Sequence, residues 1–198
     1  MPTIRPRLHH VTIKTSHLDE MIAWYALVIG AQVQFRNQAA AWMSNDEANH
    51  RIAFLAAPGL SNDSEKVRHN GMHHCAFEYG SFADLMSTFD RLRAAGVLPA
   101  FCLDHGLTIS LYYKDPEGNF VELQSDNFSD WKLSSEWMRT SADLQRTQLG
   151  PSSIRPASTR SFNPALILKR SRKRSALARI CQTQFQTLDY RANSLCVA

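Results

Sequence analysis

The sequence predicts an α+β fold built from two successive βαβββ modules, and three observations point there. The order of strand-like and helix-like segments runs through once and then repeats. Each repeat opens on a His-His pair directly ahead of an apolar strand. A polar, Gly/Ser/Asn-rich stretch over 59–70 separates the repeats, as a linker between modules would.

The elements follow in order. Residues 8–14 alternate like a strand, and Ser16 and Asp19 mark a helix start. Ile22, Tyr25, Val28 and Ile29 then recur at helical spacing, and Gly30 closes that helix. Strand-like runs come next over 32–35, 40–43 and 51–56. The second module repeats this order. A strand is expected over 72–78, and Ser81 caps a helix with Leu85, Phe89 and Leu92 on one face, ended by Gly96. Three strands follow over 98–103, 107–113 and 119–124. The modules are bounded at 7–58 and 71–127 within one domain over 7–127. A helical extension occupies 128–147, with its helix over 130–142, and an irregular basic tail covers 148–198.

The net charge of +4 hides an asymmetry. From Gly150 onward there are nine Lys or Arg and one Asp, so the basic character belongs to the tail and not to the modules. The run from Lys169 to Arg174 has no interleaved aromatic residues, which argues against a nucleic-acid partner. The apolar stretches over 21–29 and 39–43 fall short of the ~20 residues a membrane-spanning helix needs. The N-terminal residues lack the pattern of a secretion signal. Cys75, Cys102, Cys181 and Cys196 are scattered without metal-type spacing, so reduced thiols and a cytoplasmic location are expected.

His10 and His74 hold matching places in the two modules. If each lies in its strand, both imidazoles point to the same side, while His9 and His73 point to the other. Glu122 stands in the last strand of the second module, behind the turn signal Asp115-Pro116-Glu117-Gly118. A carboxylate inside an apolar strand is costly unless paired. A metal ion is one partner that would explain it and a buried Arg is another. Two imidazoles, one carboxylate and open positions form the arrangement typical of non-haem iron(II) oxygenases.

The two modules resemble the vicinal oxygen chelate superfamily, which includes glyoxalase I, methylmalonyl-CoA epimerase, fosfomycin- and bleomycin-resistance proteins and type I extradiol dioxygenases. Within it, His105, Leu111, Tyr112, Asp115, Pro116, Gly118 and Glu122 stand in the register of the extradiol dioxygenase signature. Leu103 departs from it, where that pattern prefers a smaller, β-branched or polar residue. The resemblance covers about residues 7–140. It implies two modules forming one barrel-like metal-binding domain, with His10, His74 and Glu122 holding iron(II), or manganese(II), which suits the same ligands. It places the acid/base histidine at His50, the hydrogen bond to a substrate oxygen at Tyr112 and a pocket-rim histidine at His105. The implied activity is ring cleavage of a catechol-type diol, 2,3-dihydroxybiphenyl-like or related, with O2, by a homo-oligomer.

Other members of the superfamily remain alternatives. Glyoxalase- and epimerase-like relatives use a fourth ligand, a Glu or Gln in the last strand of the first module, where this chain has only Ile52-Ala53-Phe54-Leu55-Ala56. A fosfomycin-resistance-like transferase uses two His and one Glu, which this chain could supply. A non-catalytic sequestering protein of the same fold would have no use for the ligand set.

Overall fold

The computed structural model describes residues 3–61, 63, 65–142, 144, 173, 175 and 176. The order of elements is β1 (Val11–Thr15), α1 (Leu18–Ile29), β2 (Gln32–Arg36), β3 (Ala40–Ser44), β4 (Ile52–Ala56), β5 (His74–Tyr79), α2 (Phe82–Ala94), β6 (Phe101–Asp104), β7 (Thr108–Lys114), β8 (Phe120–Asp126) and α3 (Trp131–Thr140). The βαβββ order thus occurs twice. Each set of four strands makes its own sheet, ordered β1-β4-β3-β2 and β5-β8-β7-β6. Both sheets are open, with β1 and β2 at the edges of one and β5 and β6 at the edges of the other. The α+β fold of two βαβββ modules is as expected from sequence, and the four strands of each module make a separate open sheet, with no closed barrel.

The chain divides into two compact units, one of Met1–Cys75, Leu92–Val97 and Lys114–Val121, the other of Ala76–Arg91, Leu98–Tyr113 and Glu122–Ala198. In the first, β1 runs parallel to β4, while β3 is antiparallel to both β4 and β2. Helix α1 buries Met21, Tyr25, Val28 and Ile29. The Tyr25 ring meets Phe54 of β4 edge-on at 5.1 Å. The same ring donates its hydroxyl hydrogen to Asp115 at 3.2 Å. Asp115 also begins the turn forecast from sequence: Gly118 N–H returns to Asp115 O at 2.8 Å, and Gly118 takes φ +77°, open to glycine at little cost.

In the second unit β6 and β7 form an antiparallel hairpin, and β7 is buried from Thr108 to Tyr113. Ser81 caps α2 by accepting from Asp84 N–H at 3.1 Å. Trp137 of α3 is buried and its ring lies 6.1 Å from Phe128, while Asp130 caps that helix by accepting from Lys132 N–H. No helix among the described residues is long and apolar enough to cross a membrane. Most of the tail over 148–198 lies outside the described residues; Lys173, Ser175 and Ala176 are helical.

Element ends differ from the sequence forecast for identifiable reasons. Strand β1 begins at Val11 because Val11 is the first residue with a ladder partner, Ile52. Strand β6 begins at Phe101, after Pro99, which has no N–H to give a ladder. His17 and not Ser16 stands at the N-cap of α1, since the Ser16 N–H and hydroxyl are both engaged by Glu117.

The end of α2 yields a stability prediction. Val97 N–H bonds Leu92 O at 2.8 Å and Gly96 N–H bonds Arg93 O at 3.0 Å, the paired closure that needs a left-handed residue, and Gly96 has φ +78°. Nothing lies within 4 Å of a Cβ placed there, so Gly96→Ala meets only the backbone cost. That cost is about 1–2 kcal/mol. In a chain of this size it lowers Tm by roughly 2–8 °C, read by thermal unfolding.

Candidate active site

Five of the six candidate residues fall in two clusters, one in each unit, and His74 opens β5. In the first, the parallel pairing of Val11 with Ile52 brings together the segments that lead into β1 and β4. Those segments carry His9 and His10 on one side and His50 on the other. The His10 and His50 rings are 4.3 Å apart, those of His9 and His50 5.0 Å, and those of His9 and His10 5.3 Å. Arg51 fastens the arrangement: its Nη1 donates to His9 O at 3.1 Å, and its Nε donates to Asp46 at 2.9 Å. The guanidinium in turn holds the Asp46 carboxyl down to about 2. His50 Nδ1 donates to Asn49 Oδ1 at 2.8 Å, which leaves Nε2 as the basic nitrogen. Burial, then the neighbouring His10 and His9, lower the His50 pKa, so the ring is neutral at neutral pH.

This first cluster changes the reading of His9 and His73. Neither is in a strand, so the alternation that should turn them away from His10 and His74 does not apply. His9 Nδ1 lies 3.0 Å from His10 Nδ1, and His73 Nδ1 lies 2.7 Å from His74 Nδ1. His73 also stacks on Phe120 at 5.4 Å. His74 itself is the first residue of β5 and is half-buried.

The second cluster is formed by β6, β7 and β8. Glu122 is 4% exposed in β8, and the Tyr112 hydroxyl of β7 is its neighbour. Burial first, then the Glu122 charge and their hydrogen bond, push the Tyr112 pKa up, so this phenol stays protonated. His105, in the β6–β7 turn, sets Nε2 2.9 Å from the Tyr112 hydroxyl and 4.0 Å from Glu122 Oε1. Phe101, opposite Tyr112 in the hairpin, stacks on its ring at 4.4 Å. Tyr113 turns the other way, and its buried hydroxyl has no hydrogen-bond partner among the described residues.

The donor chemistry suits a divalent ion. His10 and His74 offer imidazoles and Glu122 a carboxylate withdrawn from water; His10 and His74 belong to the first unit and Glu122 to the second. Among the described residues, His9, His10 and His50 also present ring nitrogens within 4.8 Å of one another.

A family model described as Glyoxalase/Bleomycin resistance protein/Dioxygenase superfamily matches residues 7–123. The chain belongs to that superfamily. Biphenyl-2,3-diol 1,2-dioxygenase 3 of Rhodococcus globerulus is 37% identical over 150 residues, spanning 76% of this chain and 78% of that protein. Biphenyl-2,3-diol 1,2-dioxygenase 2 of the same organism is 39% identical over 127 residues, spanning 64% of this chain and 66% of that protein. Among solved structures, a glyoxylase/bleomycin resistance protein/dioxygenase domain from Frankia sp. EAN1pec has TM-score 0.52 and 18% identity. That likeness covers 62% of this chain and 93% of the other, and it speaks for the fold alone.

As a superfamily member the chain shows two supports that sequence reasoning missed. The Asp46–Arg51 pair fixes the loop before β4, and Phe101 fixes the Tyr112 ring. Only the second left a signal, since a hairpin over 101–112 places those residues opposite each other.

Proposed function

We propose that this chain is an extradiol dioxygenase that opens the ring of a catechol-type substrate, 2,3-dihydroxybiphenyl-like or related, beside its two hydroxyls. His10, His74 and Glu122 hold iron(II) in this reading; manganese(II) suits the same donors. The observation that carries it is the cluster of Glu122, Tyr112 and His105, a withdrawn carboxylate beside a protonated phenol and an imidazole. Its support is the 37% identity over 150 residues to a biphenyl-2,3-diol 1,2-dioxygenase. A homo-oligomer and a cytoplasmic location accompany this reading, the latter in keeping with the free thiols of Cys75 and Cys102.

Bound iron(II) supplies chelation of the diol and activation of oxygen. The protein's own residues handle protons and orientation. Neutral His50 accepts a proton at Nε2 from a substrate hydroxyl and later returns it. Tyr112 donates from its hydroxyl to a substrate oxygen, a role that requires the protonated phenol its surroundings enforce. His105 holds the Tyr112 hydroxyl in place. The first sheet offers Ile52, Ala53, Phe54, Leu55 and Ala56 where a glyoxalase-like relative needs a fourth ligand, so positions for diol and oxygen stay open.

Anaerobic loading with iron(II), followed by oxygen uptake with a panel of catechols, tests the reading. Uptake with one molecule of O2 per ring opened is expected. No uptake with any diol at full metal loading would sink it. His50→Ala is expected to keep the metal and slow turnover by about 100-fold or more, the usual worth of a positioned acid/base. Tyr112→Phe keeps the metal too and slows turnover less, which steady-state oxygen uptake will resolve.

A further inference from the structure

We propose that Asn127 is a positioning residue for the reaction, clasping the turn that carries His105, and that Lys173 of the basic tail holds the Asn127 amide in the orientation this needs. Asn127 directly follows β8, the strand that bears Glu122. The turn it meets joins β6 to β7 and consists of His105, Gly106 and Leu107. Two bonds cross between them. The Asn127 backbone N–H donates to Leu107 O at 2.7 Å, and its Nδ2 donates to Gly106 O at 3.0 Å. The turn is braced from within as well, by His105 N–H to Thr108 O at 3.0 Å and by Gly106 N–H to Asp104 Oδ1 at 2.8 Å. All these residues, and Lys173, belong to one unit of the fold.

The clasp bears on the site through His105. Its Nε2 lies 2.9 Å from the hydroxyl of Tyr112, which is held in β7, so the path of the backbone through the turn sets where imidazole and phenol meet. Gly106 bends that path at φ +84°, in the left-handed region. Gly106 is also buried, so its carbonyl needs a partner, and Asn127 supplies one. Without Nδ2 that carbonyl must turn elsewhere, and His105 moves with it.

Two neighbours fix which end of the amide faces the turn. A carbonyl accepts and an ammonium donates, so Gly106 O requires Nδ2 and Lys173 Nζ requires Oδ1. Lys173 Nζ stands 3.3 Å from that Oδ1, donates to Asp126 O at 3.5 Å and lies 5.3 Å from the centre of the Phe82 ring. The ammonium is thereby seated between the end of β8 and the start of α2. This gives one residue of the basic run a task at the site.

The test compares Asn127→Ala and Asn127→Asp in the iron-loaded full chain, each with and without His105→Ala. Asn127→Asp matches the native size and keeps an acceptor for Lys173, but it has no N–H for Gly106 O. Both are expected to keep iron and to lower kcat/KM for the diol about tenfold, short of the roughly 100-fold that a ~1 Å misplacement can cost. In the His105→Ala background the same changes are expected to cost less than about twofold more, because the residue they position is gone. A merely structural role would lower both backgrounds alike, and that result would overturn the proposal. Crystal structures of the full-chain variants give a readout apart from activity. The His105 Nε2 to Tyr112 hydroxyl distance is expected to pass beyond hydrogen-bond reach, about 3.2 Å, and an unchanged distance would equally overturn the proposal. Lys173→Ala leaves Asn127 in place and decides the matter where the Asn127 variants do not fold. About threefold is expected in the wild-type background, and no loss there removes the tail from the clasp. The kinetic effect rests on the dioxygenase reading. If iron-loaded wild type cleaves no diol, that reading fails, and the distance in the variants still decides whether Asn127 positions His105.

Discussion

Replacing Glu122 by alanine is expected to strip the protein of iron and with it all measurable ring cleavage. The size of the effect follows from the ligand role proposed for Glu122. Losing a partner that merely orients a ligand costs about 10- to 100-fold in metal affinity. Losing one of three ligands must cost more, so iron content after desalting should fall below detection. His74→Ala is expected to match it. His105→Ala, which touches the phenol and not the metal, should keep iron. The metal-free proteins behave differently. Glu122 is 4% exposed and hydrogen-bonded to the Tyr112 hydroxyl, so metal-free Glu122→Ala takes away that buried partner and should be less stable than metal-free wild type. Iron(II) stabilises only the form that binds it. A rise in Tm on adding iron(II) is therefore expected in the wild type and absent in Glu122→Ala. Full iron occupancy in Glu122→Ala would show that the carboxylate serves the Tyr112–His105 cluster alone.

The residues of β7 and β8 were legible in the sequence because their relations are local. Tyr112 and Glu122 are separated by one turn, and the Asp115–Gly118 signal fixed where that turn falls. The alternation of β7 then assigned Tyr112 and Tyr113 to opposite sides, which the two hydroxyls display. The histidine pairs were legible in position but not in orientation. A period-two argument holds only where the backbone is in a ladder. The ladder starts at Val11, a fact set by the start of β4 at Ile52, far along the chain, which no local pattern reveals. The same dependence on distant pairing hid the Asp46–Arg51 tether and the meeting of His50 with His9 and His10.

The repeat fixed the element order but not closure. Two βαβββ runs of similar length are compatible with one closed sheet or two open ones, because the choice turns on edge pairing. The hydrophobic pattern of β1 or β5 does not say which neighbour it takes. What the sequence carried well was backbone punctuation: Gly30 and Gly96 end the two helices where left-handed geometry was forecast.

Asp115→Ala is expected to be the most damaging change outside the candidate site. Asp115 is 4% exposed and accepts from the Tyr25 hydroxyl at 3.2 Å, Asn119 N–H at 2.8 Å and Asn119 Nδ2 at 2.9 Å. Tyr25 is fully buried, so without the carboxylate its hydroxyl keeps only the weakly accepting Cys75 thiol, whereas half-buried Asn119 can turn to solvent. Losing the strong acceptor of a buried hydroxyl costs about 1–3 kcal/mol. That is roughly 2–12 °C in Tm for a chain of this size. Tyr25→Phe removes that hydroxyl, so the double variant should lose less than the two singles together, by about 0.5–3 kcal/mol of coupling. Proton linkage gives a second readout. Burial raises the Asp115 pKa and the donors only partly offset it, so folding favours the protonated acid. Its contribution to stability is then full below the ordinary carboxylate range, about 3.9, and is lost as pH rises through the higher folded value. Asp115→Asn keeps one acceptor oxygen and has nothing to titrate. Its stability relative to wild type is expected to improve as pH rises from about 4 toward neutrality. Denaturant unfolding at several pH values reads this directly, and a pH-independent difference would place the burial cost elsewhere.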